Sequence, residues 1–268
     1  MKSLIYLSLV VILIVGATSA FAAREVMLYT GTFQWIDKAM VDEEADICKG
    51  LLDGEGIPAE ITEDENAVKS WMQSTAGDGS VDVLVIYGDI PPAVYAGGNA
   101  EPDGSVAENW IETTDGDMIL NHADYMFWGV GGRNKEGGLQ NMMDIPDIVM
   151  WDDDTPMQVT ADGKKYTPSL VDFNSDRPFH LDQLADNWKA EVIFASNTGD
   201  DTGTRADPVV VRDGNLGRLC IVHQTASEDN PKGEVAAEII FNYLKLGAPT
   251  TPVEPGGKAS TTWANIKR

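Results

Sequence analysis

The chain has 268 residues, with 43 Asp and Glu against 19 Lys and Arg and a formal net charge of −24. Acidity on this scale argues against nucleic acid and anionic membranes as partners, because both are gripped by Lys/Arg surfaces. It suits a solvated surface or, as the alternative, cation binding. Two cysteines, Cys48 and Cys220, exclude a disulfide-rich scaffold. Each lies in an apolar context and is expected to be a buried, structural thiol, with a single bridge between them left open.

The chain opens on Lys2 and an apolar run from Leu4 to Val15, followed by Ala20-Phe21-Ala22. That order of basic, apolar and small residues is expected to be a signal peptide over 1–22, cut after Ala22. A secreted or periplasmic location would follow, with no membrane attachment after processing. The run is short of the ~20 residues a spanning helix needs.

Residues 23–247 are expected to form one α/β domain. Val26-Met27-Leu28-Tyr29 reads as a buried strand breaking at Thr30-Gly31-Thr32, and a helix over 42–52 ends at Gly54 and Gly56. A strand over 59–62 and a helix over 66–74 follow. The run 81–87 is a third, buried strand ending at Gly88-Asp89-Ile90-Pro91-Pro92, and a helix over 106–113 leads into the strand 118–120. Strands alternating with helices predict a doubly wound parallel sheet with helices on both faces. The stretch 127–188 is rich in Gly, Asp, Pro and Met and is expected to be an irregular lid, with a hairpin through Asp162-Gly163. A strand over 191–195, two strands around the turn Asp213-Gly214-Asn215, and a helix over 233–246 complete the domain. Residues 248–268 form a Pro/Thr/Gly-rich tail with Trp263 and Ile266.

The strand Met118-Ile119-Leu120 ends in the polar cluster Asn121, His122 and Asp124. In a parallel sheet, the C-terminal strand ends open into the ligand crevice. A run ending in His at this turn, together with Pro208-Val209-Val210-Val211 and then Gly217-Arg218-Leu219, resembles the ThuA-like (trehalose-utilisation) family. That family belongs to the class I glutamine amidotransferase-like superfamily, and the resemblance spans about 26–246. It implies a flavodoxin-like sheet and an association with carbohydrate. The family pattern ends its last strand in Gly-His, whereas here the order is His223-Gln224-Thr225-Ala226. Glutamine hydrolysis needs a Cys nucleophile at the turn, and this turn holds an imidazole.

His122 fits four roles: general acid/base, ligand-orienting donor, metal ligand, or structural histidine. Asp89 and Asn121 end neighbouring strands and are its expected catalytic companions, although Asp89 also suits a turn cap. Tyr125, Trp128 and Trp151 are candidates for stacking on a sugar ring, or else core aromatics. Arg133, in a glycine-rich loop, is a candidate clamp on a hydroxyl cluster. Asp152, Asp153 and Asp154 lack the Gly and distal Glu of an EF-hand loop, and His180 reads as structural. No zinc-site spacing occurs, and no cofactor is expected. The expected partner is a small-molecule carbohydrate, with a homo-oligomer left open. The competing class is a non-catalytic binding or assembly module.

Overall fold

A computed structural model describes residues 25–98, 104–123, 125–129, 135–227 and 229–246. The expected signal peptide and the tail lie outside the described residues. In chain order the elements are β1 (Val26–Tyr29), α1 (Lys38–Gly54), β2 (Ala59–Thr62), α2 (Glu65–Thr75), β3 (Val83–Ile86), α3 (Val106–Ile111) and β4 (Met118–His122). Next come α4 (Glu136–Met143), β5 (Thr155–Val159), α5 (Ala161–Tyr166), β6 (Phe173–Ser175), β7 (Phe179–His180), β8 (Trp188–Ile193), β9 (Ala195–Ser196) and β10 (Arg205–Ala206). The chain closes with β11 (Val209–Asp213), β12 (Arg218–Val222) and α6 (Lys232–Glu238), which runs on as a π-helical turn over Ile239–Tyr243.

The main sheet has seven strands in the order β2-β1-β3-β4-β12-β11-β8. The first five are parallel to one another. β11 and β8 run antiparallel to their neighbours, which corrects the expectation of a wholly parallel sheet. The reason is local: only Gly214 to Gly217 separate β11 from β12, and a connection this short can only reverse the chain.

Alternation along the strands divides two cores. Met27, Leu84, Ile119 and Leu219 face one way, with Val68 and Met72 of α2 and Trp110 of α3. Val26, Val85, Leu120 and Cys220 face the other, with Val41 and Cys48 of α1 and Ile239 and Ile240 of the last helix. Both faces being covered explains why β1 and β3 read as continuous apolar runs. Helix α1 starts four residues before the expected position because Asp37 caps it, accepting a hydrogen bond from Met40 N at 2.9 Å.

The middle region is more regular than its composition predicts. It supplies most of a second sheet, β6-β5-β9-β10-β7, whose pairs are antiparallel. The expected hairpin at Asp162-Gly163 is instead the short helix α5. Thr160 caps it, accepting from Gly163 N at 3.0 Å. Gly163 is required because an added Cβ would lie 2.1 Å from the Phe194 carbonyl oxygen.

The N-terminal edge of the sheet concentrates carboxylates. Asp82 Oδ1 accepts from Glu25 N at 2.6 Å, and Asp117 Oδ1 accepts from Asp82 N at 2.9 Å. The second oxygens of Asp82, Asp115 and Asp117 are buried without a hydrogen-bond partner. Burial, and then the neighbouring carboxylates, push Asp82 up to about 7 and Asp117 up to about 8.

Candidate functional site

The C-terminal ends of β1, β3, β4 and β12 converge on one side of the main sheet, where a doubly wound fold holds its ligands. Several residues there adopt positive φ: Trp35 (66°), Ala123 (85°) and His223 (45°). Outside glycine such angles are uncommon and cluster where a chain is held for a purpose.

His122 ends β4 with no exposed surface. Its ring packs on Tyr87 at a centroid distance of 4.7 Å, and neither ring nitrogen has a hydrogen-bond partner among the described residues. Burial first, then Lys232 and His223, hold its pKa well below the usual histidine value, so the imidazole is neutral. Among the described residues no carboxylate is hydrogen-bonded to it.

Asp89 and Asn121 bracket the crevice floor. Asp89 accepts from Gln34 Nε2 at 3.0 Å and from Gly129 N at 3.1 Å, joining the loops after β1 and β4. A Cβ at Gly129 would meet Asp89 Oδ2 at 1.8 Å, so only glycine allows that approach. Asn121 Nδ2 donates to the Gly88 carbonyl at 3.0 Å, and its own carbonyl accepts from Gln224 Nε2 at 3.2 Å. Both residues therefore shape loops, the role Asp89 also suited from sequence.

The aromatic candidates do meet. Tyr125 and Trp151 lie 5.0 Å apart, Trp151 and Trp128 5.4 Å, and Trp128 and Trp35 6.5 Å. Tyr125 is buried, its hydroxyl donating to the Lys135 carbonyl at 2.5 Å. Trp151 donates to Glu136 Oε1 at 2.5 Å, and the Arg177 guanidinium stacks 4.6 Å over its ring. The row reaches water at Trp35, which is 60% exposed. Arg133 lies outside the described residues.

Trp35 lines a cleft of about 340 Å³ with Asp153, Asp154, Asp176, Arg177 and Ala226. Arg177 hydrogen-bonds the Asp153 carboxylate and the Asp176 carbonyl. Asp152 faces away from this set, held by Arg205 Nε at 2.5 Å with His180 Nε2 at 3.5 Å. A larger cleft of about 500 Å³ lies between α5, β8 and the 199–201 loop. It is remote from the converging strand ends, so the smaller cleft is the better candidate. Among the described residues no three His, Cys, Asp or Glu side chains are grouped to hold a metal ion, and no helix is long and apolar enough to cross a membrane.

No protein-family model matches the chain, and no curated protein matches it. Among solved structures, a protein from Bacteroides uniformis ATCC 8492 described as thua-like is similar at 10% sequence identity, with a TM-score of 0.46. The similarity covers 84% of this chain and 91% of that one.

Beneath the cleft lies a polar cluster that sequence reading missed. Asp207, wholly buried, accepts from Ser175 Oγ and from Gln224 N, both at 2.7 Å. Lys232, also wholly buried, donates from Nζ to the Thr225 carbonyl at 2.7 Å. One signal was present: Lys232 falls on the stripe Val235, Ala236, Ile239 and Ile240 that buries the last helix. A lysine on such a stripe needs a buried acceptor. Trp35 carried a weaker signal, a large aromatic in the loop just past a strand end.

Proposed function

We propose that the chain is an exported ThuA-like protein that binds carbohydrate in the Trp35 cleft, on a flavodoxin-like sheet of the class I glutamine amidotransferase-like type. The parallel strand order β2-β1-β3-β4-β12 supports the flavodoxin-like reading, since it follows the 2-1-3-4-5 order of that fold. The histidine turn after β4 and the Pro208 to Leu219 motif support the family reading.

The observation that carries the binding reading is the indole of Trp35. It stands exposed at a strand exit, braced by Trp128, in a cleft whose other walls are three aspartates, an arginine and an alanine. Aromatic faces take the apolar face of a sugar ring, while carboxylates and guanidinium take its hydroxyls. Burial pushes the Cys48 thiol up to about 12 and raises the Cys220 thiol well above its usual value. Neither supplies the thiolate that amide hydrolysis from glutamine requires. The buried ring of His122, whose nitrogens have no hydrogen-bond partner among the described residues, favours a binding module over acid/base chemistry at this turn.

The test is a titration of intrinsic tryptophan fluorescence with mono- and disaccharides, repeated for Trp35→Ala. Saturable binding lost in the variant, with Tm unchanged, is the expected result. Equal binding by Trp35→Ala, or no response to any sugar, overturns the proposal, as does ammonia release from glutamine.

A further inference from the structure

Two strand ends, a loop and a helix start meet under the cleft. His122 ends β4, His223 follows β12, Asp207 precedes β11, and Lys232 opens α6. All four side chains are sealed from solvent, together with Ser175 and Gln224. The segment 223–226 is tied both to this cluster and to the cleft. Gln224 N donates to Asp207, the Thr225 carbonyl accepts from Lys232, and the Gln224 carbonyl accepts from Asp176 N at 2.8 Å. Ala226 and Asp176 are walls of the cleft. The wall therefore stays in place only while the cluster stays closed.

The charges within the closed cluster are poorly matched. His122 faces Tyr87, Lys232 and His223; His223 faces the Phe173 ring, Lys232 and, through its backbone, Asp207. Glu44 of α1 also faces Lys232 and accepts from Gly233 N, but it holds α1 to α6 and not the 223–226 segment. Neither nitrogen of either histidine ring has a hydrogen-bond partner among the described residues. Protonating a ring here would put a second cation beside the Lys232 ammonium, and neither ring nitrogen meets an acceptor in the closed state.

We propose that this buried cluster is an acid-sensitive latch on the cleft. As pH falls, the two histidines take up protons on exposure, and the 223–226 wall swings away from Asp207 and Lys232. The consequence for ligand affinity rests on the cleft being the binding site. The latch itself does not.

The size of the effect follows from proton linkage. In the closed state burial keeps His223 at about 3 and His122 well below its usual value, whereas opening restores both to about 6.5. Opening therefore binds two protons across this range. Asp207 works the other way: burial raises it to about 7 in the closed state, and opening releases its proton down to about 4. The net uptake is one proton, so the opening equilibrium rises about tenfold per pH unit between roughly pH 6 and pH 4.

Native-state hydrogen exchange on the full chain reads this directly. Protection factors at the amides of Asp176, Gln224 and Thr225 should fall about tenfold per unit over that range, while those of β1 and β3 hold. His223→Asn retains a residue that tolerates positive φ and cannot titrate, and should flatten the slope. His122→Phe, which keeps an aromatic ring against Tyr87, should do the same from the other strand. Pre-bound sugar, if the cleft binds it, should restore protection. Flat protection factors in the wild type, or an unchanged slope in both variants, overturn the latch. A sugar-blind protein with the expected slope overturns only the reading of the cleft.

Discussion

Asp117→Asn should stabilise the protein above neutral pH. Asp82 and Asp117 both have folded-state pKa values above the unfolded value of about 3.9, so between that value and the raised one the folded state holds protons that the unfolded state has lost. Stability from these groups is present at acid pH and is lost as pH rises through about 7 and about 8. Full linkage would cost about 1.4 kcal/mol per pH unit per group. Exposed Asp78 and half-exposed Asp115 keep the rim of the cluster wet, and that screening roughly halves the cost. Between pH 7 and 8.5 these two groups should therefore cost the wild type about 0.8 kcal/mol, in a window where the histidines, at about 6.5 when unfolded, are mostly neutral in both states. Asn retains the acceptor for Asp82 N and removes the charge. The variant should be about 1 kcal/mol more stable at pH 8.5 and should show the shallower slope with pH. Urea unfolding at four pH values across the window measures both slopes. A wild type whose stability is constant or rises over that window refutes the reasoning, as does an Asn variant that tracks it.

Trp110→Phe removes the indole donor to Thr75 Oγ1 at 3.0 Å and part of the contact with Trp71, 5.5 Å away. A loss of about 1–3 kcal/mol is expected in urea unfolding, and wild-type stability would count against the packing described for that face. Gly138→Ala would place a Cβ 2.5 Å from the Phe127 side chain. It should cost about 1–3 kcal/mol and lower Tm, whereas a neutral result would mean α4 can shift freely. Cys48 and Cys220 are both free and buried, so a thiol reagent should label neither until denaturant is added. Prompt labelling of the native protein would show that the face both share opens readily.

Much of the main sheet was legible because its strands carry their burial in their own residues. Val26 to Tyr29 and Val83 to Ile86 are apolar at every position, and the turn at Gly214 fixes the last hairpin. The second sheet was not legible. Its strands are two to five residues long, and β5, with alternate residues toward solvent, contains Pro156. Such strands exist by pairing with distant partners, so their own composition reads as loop. At the candidate site, Asn121 and His122 do close β4, but sequence cannot say whether such a residue faces in or out. His122 faces in, behind Tyr87. The pairing of Asp207 with Ser175 and Gln224 and the seating of Lys232 depend on segments 7 to 32 residues apart. No local pattern encodes those meetings.

The position of β12 has a consequence for how the chain can be made. Among the described residues it is the last strand in sequence, yet it lies in the interior of the sheet, hydrogen-bonded to β4 a hundred residues earlier. Until residues 218–222 have been synthesised, β4 presents an open, apolar strand edge, and the helix that covers the face behind it does not yet exist. Such an edge invites pairing with another chain. Fragments ending before Arg218 should therefore accumulate as aggregates rather than as smaller folded units, and the whole domain must close in one late, long-range step.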